Sequence, residues 1–338
     1  MVILKNYEVL CLAFKRPYHY NEYGHSTAEE KFVPWIDWEN SLIFPRYHGI
    51  YIGIYFYNNF WHTTSYISDS IYAREYCKRK KISPNQLFQL MEPQYELPQK
   101  KNIYYGFVFH PEFEFLYCYS GRSAEDLENI PISELTLINP SWDYIEQIYI
   151  RKELCSTIIE GFQQNHIFSP LLYSGLEVRC HDNIFIFHSD SFKYLLKLAE
   201  TQEEESLDYK GISTMEMVIH IYLSTPENQI SNLITFFPNI SSIFDSICQY
   251  LRSIFGEINK KFDEVQALAQ DKRQFSKIIQ NEIPEIKSIL FSMKNLHVET
   301  SEELFRLPQI LNNQKTMRIL IRLTKNKISV KMKNKYLS

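Results

Sequence analysis

Two groups of side chains in this sequence have types and spacings that could do chemistry. In Phe107-Val108-Phe109-His110-Pro111-Glu112-Phe113-Glu114-Phe115, strict alternation places His110, Glu112 and Glu114 on one face of a single strand, with phenylalanines on the other. An imidazole and two carboxylates so placed could hold a divalent metal or act as acid and base. A hairpin turn at His110-Pro111, or a plain solvent-facing side, would dissolve that grouping. Cys180-His181-Asp182 and His188-Ser189-Asp190 flank the apolar run Asn183–Phe187. Cys180, His181 and His188 could ligate zinc, although the spacing names no fourth ligand. Asp208-Tyr209-Lys210 and Glu285-Ile286-Lys287 have an acid-x-lysine form, but neither follows an acidic strand. None of these is a complete catalytic motif.

The distribution of charge says more. After Glu303 the chain has no acid, yet Arg306, Lys315, Arg318, Arg322, Lys325, Lys327, Lys331, Lys333 and Lys335 follow. The net charge is −4, so with nine cations at the end the first 303 residues carry −13. Period-two alternation over Met317–Thr324 and Lys327–Lys333, with Lys325-Asn326 as a turn, predicts a C-terminal β-hairpin with one apolar and one cationic face. A cationic strip attracts phosphate backbones, acidic partners or anionic lipid. It also serves as edge protection against aggregation. Arg318, Arg322, Lys325, Lys327, Lys331 and Lys333 are the candidate nucleic-acid or anion contacts.

Two local resemblances to known families add to this reading. His62-Thr63-Thr64-Ser65 is similar to the HxT element of two-histidine phosphoesterases, with His188-Ser189-Asp190 as a divergent partner. His48-Gly49, Gly53-Ile54-Tyr55-Phe56 and Ser68-Asp69-Ser70-Ile71-Tyr72 resemble the nicotinamide-pocket elements of ADP-ribosyltransferases over some 25 positions. That resemblance implies NAD as cofactor, His48, Tyr55 and Ser68 as pocket residues, and Glu112 or Glu114 as the glutamate acting on the ribose. His48 stands closer to the tyrosine strand than the family's pattern has it, and the segment between Phe56 and Ser68 is longer. Core aromatics followed by a helix cap would give the same residues.

The elements that must position these groups follow from periodicity. Strands are predicted at Tyr7–Phe14, Ile50–Tyr57, Ile103–Phe109, Phe113–Tyr119, Leu135–Ile138, Gly175–Arg179, Asn183–His188 and Met215–Leu223. Helices are predicted from Ser68, from Ser123 and over Asp190–Glu200. Beyond Pro238 the apolar residues Phe244, Ile247, Leu251, Ile254, Ile258, Phe262, Val265 and Leu268 recur at spacings of three and four, the stripe of one long helix. Further helix follows over Phe275–Ile283, and Pro284 restarts it as a first-turn residue. The fold class is α+β: an aromatic-rich sheet domain over 1–224, a helical region over 225–300 and the basic tail over 301–338.

Composition bounds the rest. A chain of 338 residues can bury roughly 75% of its unfolded surface, so neither a disulfide nor a metal is needed to hold it together. The 24 Tyr and 23 Phe favour sheet. Only 9 Gly argue against glycine-rich phosphate loops. Six scattered cysteines without a CxxC pair fit free thiols in a reducing compartment. No apolar run reaches the ~18 residues of a membrane span, and no cleavage signal follows the N-terminal strand. These features predict a soluble, cytoplasmic binding protein that docks on a protein or nucleic acid. No cofactor is predicted outside the ADP-ribosyltransferase resemblance.

Overall fold

The computed structural model describes residues 36–66, 77–83, 98–110, 115–148, 169–200, 212–307 and 318–327, apart from 79 and 182, and short strands at 2–3, 9–11, 18–19 and 208–209. The fold is α+β, with the longer strands in the first half and the long helices in the second. The chain packs as two compact units, residues 1–160 with 171–189, and residues 161–170 with 190–338.

The first unit is built on two antiparallel hairpin systems. One sheet holds β1 (Leu42–Tyr47), β7 (Tyr173–Cys180) and β8 (Asn183–His188), with Tyr18–His19 added in parallel at its edge. The other runs β3 (Phe60–Tyr66), β2 (Ile50–Tyr57), β4 (Ile103–His110), β5 (Phe115–Ser123) and β6 (Asn129–Ile130). Asn58 and Asn59, both at positive φ, make the tight β2–β3 turn, a conformation asparagine tolerates.

The second sheet is buried on both faces, which is why β2 and β4 read as near-continuous apolar runs. On one face Ile50, Ile52, Ile54, Tyr105, Phe107 and Cys118 pack under α1 (Ile132–Ile138) through Leu135 and Ile138. On the other, Tyr51, Val108 and Tyr119 meet Phe44 of β1. The space between the sheets is therefore lined by alternate residues of β1, β2, β4 and β5.

The register of β4 and β5 shifts between Gly106 and Phe107: Gly106 pairs with Ser120 but Phe107 with Cys118. Tyr119 is the extra residue of a β-bulge, a device that bends a strand and re-aims its side chains.

The second unit is helical. It comprises α2 (Asp190–Glu200), α3 (Thr214–Ser224), α4 (Glu227–Phe236), α5 (Ser241–Leu268), α6 (Lys272–Ile278), α7 (Pro284–Leu296), α8 (Ser301–Arg306) and α9 (318–327). The apolar stripe of α5 is buried from Phe244 through Val265, as its spacing predicts. Pro284 opens α7 at a position whose N–H needs no partner.

Four local expectations are corrected. Met215–Leu223 is helix α3, not a strand, because nearly all its residues from Met217 to Ser224 are buried and an all-round apolar helix has no visible period. Leu135–Ile138 is the end of helix α1. Ser123 ends β5 and opens a turn to β6, with Leu127 at positive φ and Asp126 accepting from Glu128 N. The C-terminal hairpin is replaced over 318–327 by helix α9, whose buried residues Leu320, Ile321 and Thr324 lie on one helical face. Of the helix predicted from Ser68, only its end is described, where Cys77, Lys78 and Lys80 are helical; Ser68 itself, Lys331 and Lys333 lie outside the described residues.

Candidate functional site

In the first unit, alternation along β1 and β7 brings Phe44, Arg46, Glu177 and Arg179 to the face opposite Tyr51 and Tyr119. Phe44 pairs with Glu177 across the strands, and Gly175 with Arg46. Arg46 Nη1 donates to Glu177 Oε2 at 2.6 Å, and Arg179 Nε donates to Glu177 Oε1 at 2.7 Å. Each guanidinium also lies over an aromatic ring: Arg46 over Tyr51 at 4.5 Å, Arg179 over Phe44 at 4.4 Å. Arg179 Nη2 donates to the carbonyl of Tyr119, the bulged residue, at 2.6 Å. The bulge thus supplies the oxygen that fixes the arginine.

Charge states follow from these contacts. Burial pushes the Glu177 carboxyl up, but Arg179 and Arg46 outweigh it and hold the carboxyl below its ordinary range. Burial pushes the Tyr51 phenol up to about 12 and the Tyr119 phenol well above its usual value, so both are neutral near pH 7. The Arg46 side chain is 8% exposed, that of Glu177 4% and that of Arg179 19%. Arg179 is the member that reaches solvent, and it does so in a cleft.

That cleft has a volume of about 550 Å³. Leu42 and Phe44 of β1, Ser120 of the bulged strand, Ile130 of β6, and Arg179 and Ile184 of the β7–β8 hairpin are among its walls. Ser120 Oγ is buried and has no hydrogen-bond partner among the described residues. His181, at positive φ in the β7–β8 turn, stands at the same cleft, 3.6 Å from Asp37.

Among the described residues, most of those singled out by sequence do not come together. Phe107–Phe115 is not one strand: His110 ends β4 and pairs with Phe115 at the start of β5, a hairpin whose tip, with Glu112 and Glu114, lies outside the described residues. His110 is buried, donates from Nε2 to the Leu171 carbonyl at 2.8 Å, and is held neutral by burial with its pKa pushed down to about 4. Cys180 and His188 sit at opposite ends of the β7–β8 ladder, since Cys180 pairs with Asn183 and His188 with Gly175. At roughly 3.3 Å per residue the five steps from Asn183 to His188 span far more than a coordination sphere. His188 Nδ1 instead donates to Ser174 O at 3.2 Å. No cluster of three or more His, Cys, Asp or Glu side chains able to hold a metal occurs among the described residues. Cys77, Cys118, Cys180 and Cys248 are buried free thiols.

Neither resemblance is completed among the described residues. His62 stacks on Tyr55 at 5.4 Å within the second sheet, whereas His188 belongs to the first. Tyr55 and His48 are buried, and neither lines the cleft. Ser68 lies outside the described residues.

In the second unit, α9 carries Arg318, Arg322 and Lys325 at spacings of four and three, so they share a face, and all three are exposed. Lys327 projects from the opposite side, where it pairs with Glu257 and lies 3.0 Å from Ser253 Oγ. Arg322 contacts Glu285 at 2.7 Å while its side chain stays 67% exposed. Burial raises the Glu216 carboxyl, and Lys325 and Arg318 pull it back.

Sequence reasoning missed Arg46, Glu177, Arg179 and Ser120. A signal was there: Glu177 and Arg179 alternate within the apolar strand Gly175–Arg179, opposite charges on the same inward face.

The sequence matches no protein-family model and no curated protein. Among solved structures it is similar to Naegleria gruberi RNA ligase. For a mutant of that ligase with ATP and Mn, the TM-score is 0.31 at 10% identity, covering 51% of this chain and 55% of the ligase. For a second mutant with ATP and Mn, the values are 0.32 and 10%, over 56% and 58%. For the ligase with pyrophosphate they are 0.31 and 10%, over 48% and 54%. The chain spans little more than half the length of those ligase chains, and similarity at this level assigns neither fold nor function.

Proposed function

We propose that this chain is a macromolecule-binding protein whose partner is nucleic acid, held through the cationic face of α9 and the acid-free run that follows it. The observation that carries the reading is the exposure of Arg318, Arg322 and Lys325 on one helical face, in a stretch of sequence with no acid after Glu303. Cations at helical spacing track a phosphate backbone and confer little sequence preference.

The same face has competitors. Glu285 is paired with Arg322, and Glu216 lies near Arg318 and Lys325. Exposed ion pairs contribute little to stability and are screened by salt. A polyanion that releases condensed counterions on binding can displace them. Lys331 and Lys333, in the acid-free sequence after α9, are further candidate contacts, whereas Lys327 faces the other way toward Glu257.

Fluorescence anisotropy of the full chain with a labelled single-stranded oligonucleotide tests this, using Arg318→Gln, Arg322→Gln and Lys325→Gln together. The reading expects binding that weakens in the triple variant by similar factors for unrelated sequences. Unchanged affinity in the variant, or binding confined to acidic polypeptides, defeats it.

A further inference from the structure

We infer that the cleft of the first unit, between β1, β7 and β8 on one side and β5 and β6 on the other, is a binding site for a small organic carboxylate with an apolar body. This site is separate from the nucleic-acid reading and does not depend on it.

Arg46 and Arg179 bring two positive charges to one carboxylate, Glu177, and the facing phenols of Tyr51 and Tyr119 are neutral near pH 7. The buried cluster is left with one positive charge in excess. A purely structural pair needs only Arg46 and Glu177, both closed to solvent. The second guanidinium is surplus to that pair, and it is the one that lines the cleft.

Arg179 is also prepared for a ligand. Glu177 holds its Nε and the Tyr119 carbonyl its Nη2, so the guanidinium cannot swing away. Nη1 has no hydrogen-bond partner among the described residues. Ser120, next in sequence to the residue that fixes Arg179, lines the same cleft, with its hydroxyl oxygen closed to water. The remaining N–H groups of the guanidinium are charge-assisted donors that suit a carboxylate. A singly charged end balances the surplus, whereas a phosphate monoester at about −1.5 to −2 exceeds it.

The walls define the remainder of the ligand. Leu42, Phe44, Ile130, Ile132, Ile145 and Ile184 make them mainly apolar, and Leu42 is 45% exposed. A volume of about 550 Å³ falls in the range of small-molecule pockets.

The test is ligand-detected NMR on the full chain with matched pairs: phenylacetate, indole-3-acetate and cyclohexylacetate against their primary amides, with phenyl phosphate alongside. Carboxylates should bind roughly ten- to a hundredfold more tightly than the amides, the worth of a hydrogen bond to a charged group. Arg179→Met should abolish that preference. Thr136→Trp, on the cleft wall but outside the charge cluster, should block binding while leaving the circular dichroism spectrum intact. It carries the test if Arg179→Met does not fold. Amides binding as well as carboxylates, no carboxylate binding, unaltered binding in Thr136→Trp, or phenyl phosphate outcompeting phenylacetate each overturns the assignment.

Discussion

Arg46 and Glu177 meet at 2.6 Å between two sheets, with neither side chain open to solvent. A buried pair of this kind is weak evidence for stability, since burial of both charges offsets most of their attraction. Breaking it is a different matter. Glu177→Gln strands two guanidinium groups without their carboxylate and should cost about 3–5 kcal/mol. Arg179→Met leaves the Arg46–Glu177 pair intact and should cost less. Urea unfolding of both variants checks the order, and an equal or inverted cost contradicts the pairing described here.

His110 makes acid stability legible. Its pKa is pushed down by burial to about 4, against about 6.5 for the unfolded imidazole. Between those values the unfolded chain binds a proton that the folded chain refuses, so stability falls as pH falls from about 6.5 to 4. The slope is about 1.4 kcal/mol per pH unit for one such group. Burial also pushes His220 in the second unit down to about 4, and it acts in the same direction. His110→Gln keeps a donor for the Leu171 carbonyl but does not titrate. Thermal melts at pH 7 and pH 4 should show a smaller loss in this variant than in the parent chain. An identical loss would mean that His110 titrates normally.

Two glycines should respond oppositely to alanine. At Gly175 a Cβ would fall 1.9 Å from the Phe187 carbonyl oxygen, and at Gly256 it would meet nothing within 4 Å. Gly175→Ala should therefore force β7 from β8 and destabilise the first unit. Gly256 lies exposed in the middle of α5, where alanine is favoured by about 0.5–1 kcal/mol. Chemical denaturation of the two variants checks both signs.

Elements with a clear period, or with a short apolar run of strand length, were legible in the sequence. The stripe from Phe244 to Val265 fixed α5, and short runs rich in Ile, Tyr and Phe fixed β2 and β4. Helix α3 has apolar residues on every side, so its sequence reads as well as a strand. In α9 the run Ile319-Leu320-Ile321 satisfies both periods over so short a span, and packing of Leu320, Ile321 and Thr324 decides for helix. The cleft was not legible because its parts come from residues 42–46, 119–120 and 177–184, joined only by strand pairing and a bulge. Spacing along one strand hinted at Glu177 with Arg179, but nothing local pointed to Arg46 or to Ser120.

The salt dependence of single-stranded nucleic-acid binding tests the proposed function most directly. Each phosphate contact contributes about −0.7 to the slope of log affinity against log salt concentration. The chain with Arg318, Arg322 and Lys325 all changed to Gln should then show a slope shallower by about 2 than the parent chain, three contacts at that value. Parent and variant sharing one slope and one affinity would contradict the assignment of the α9 face to phosphate contact.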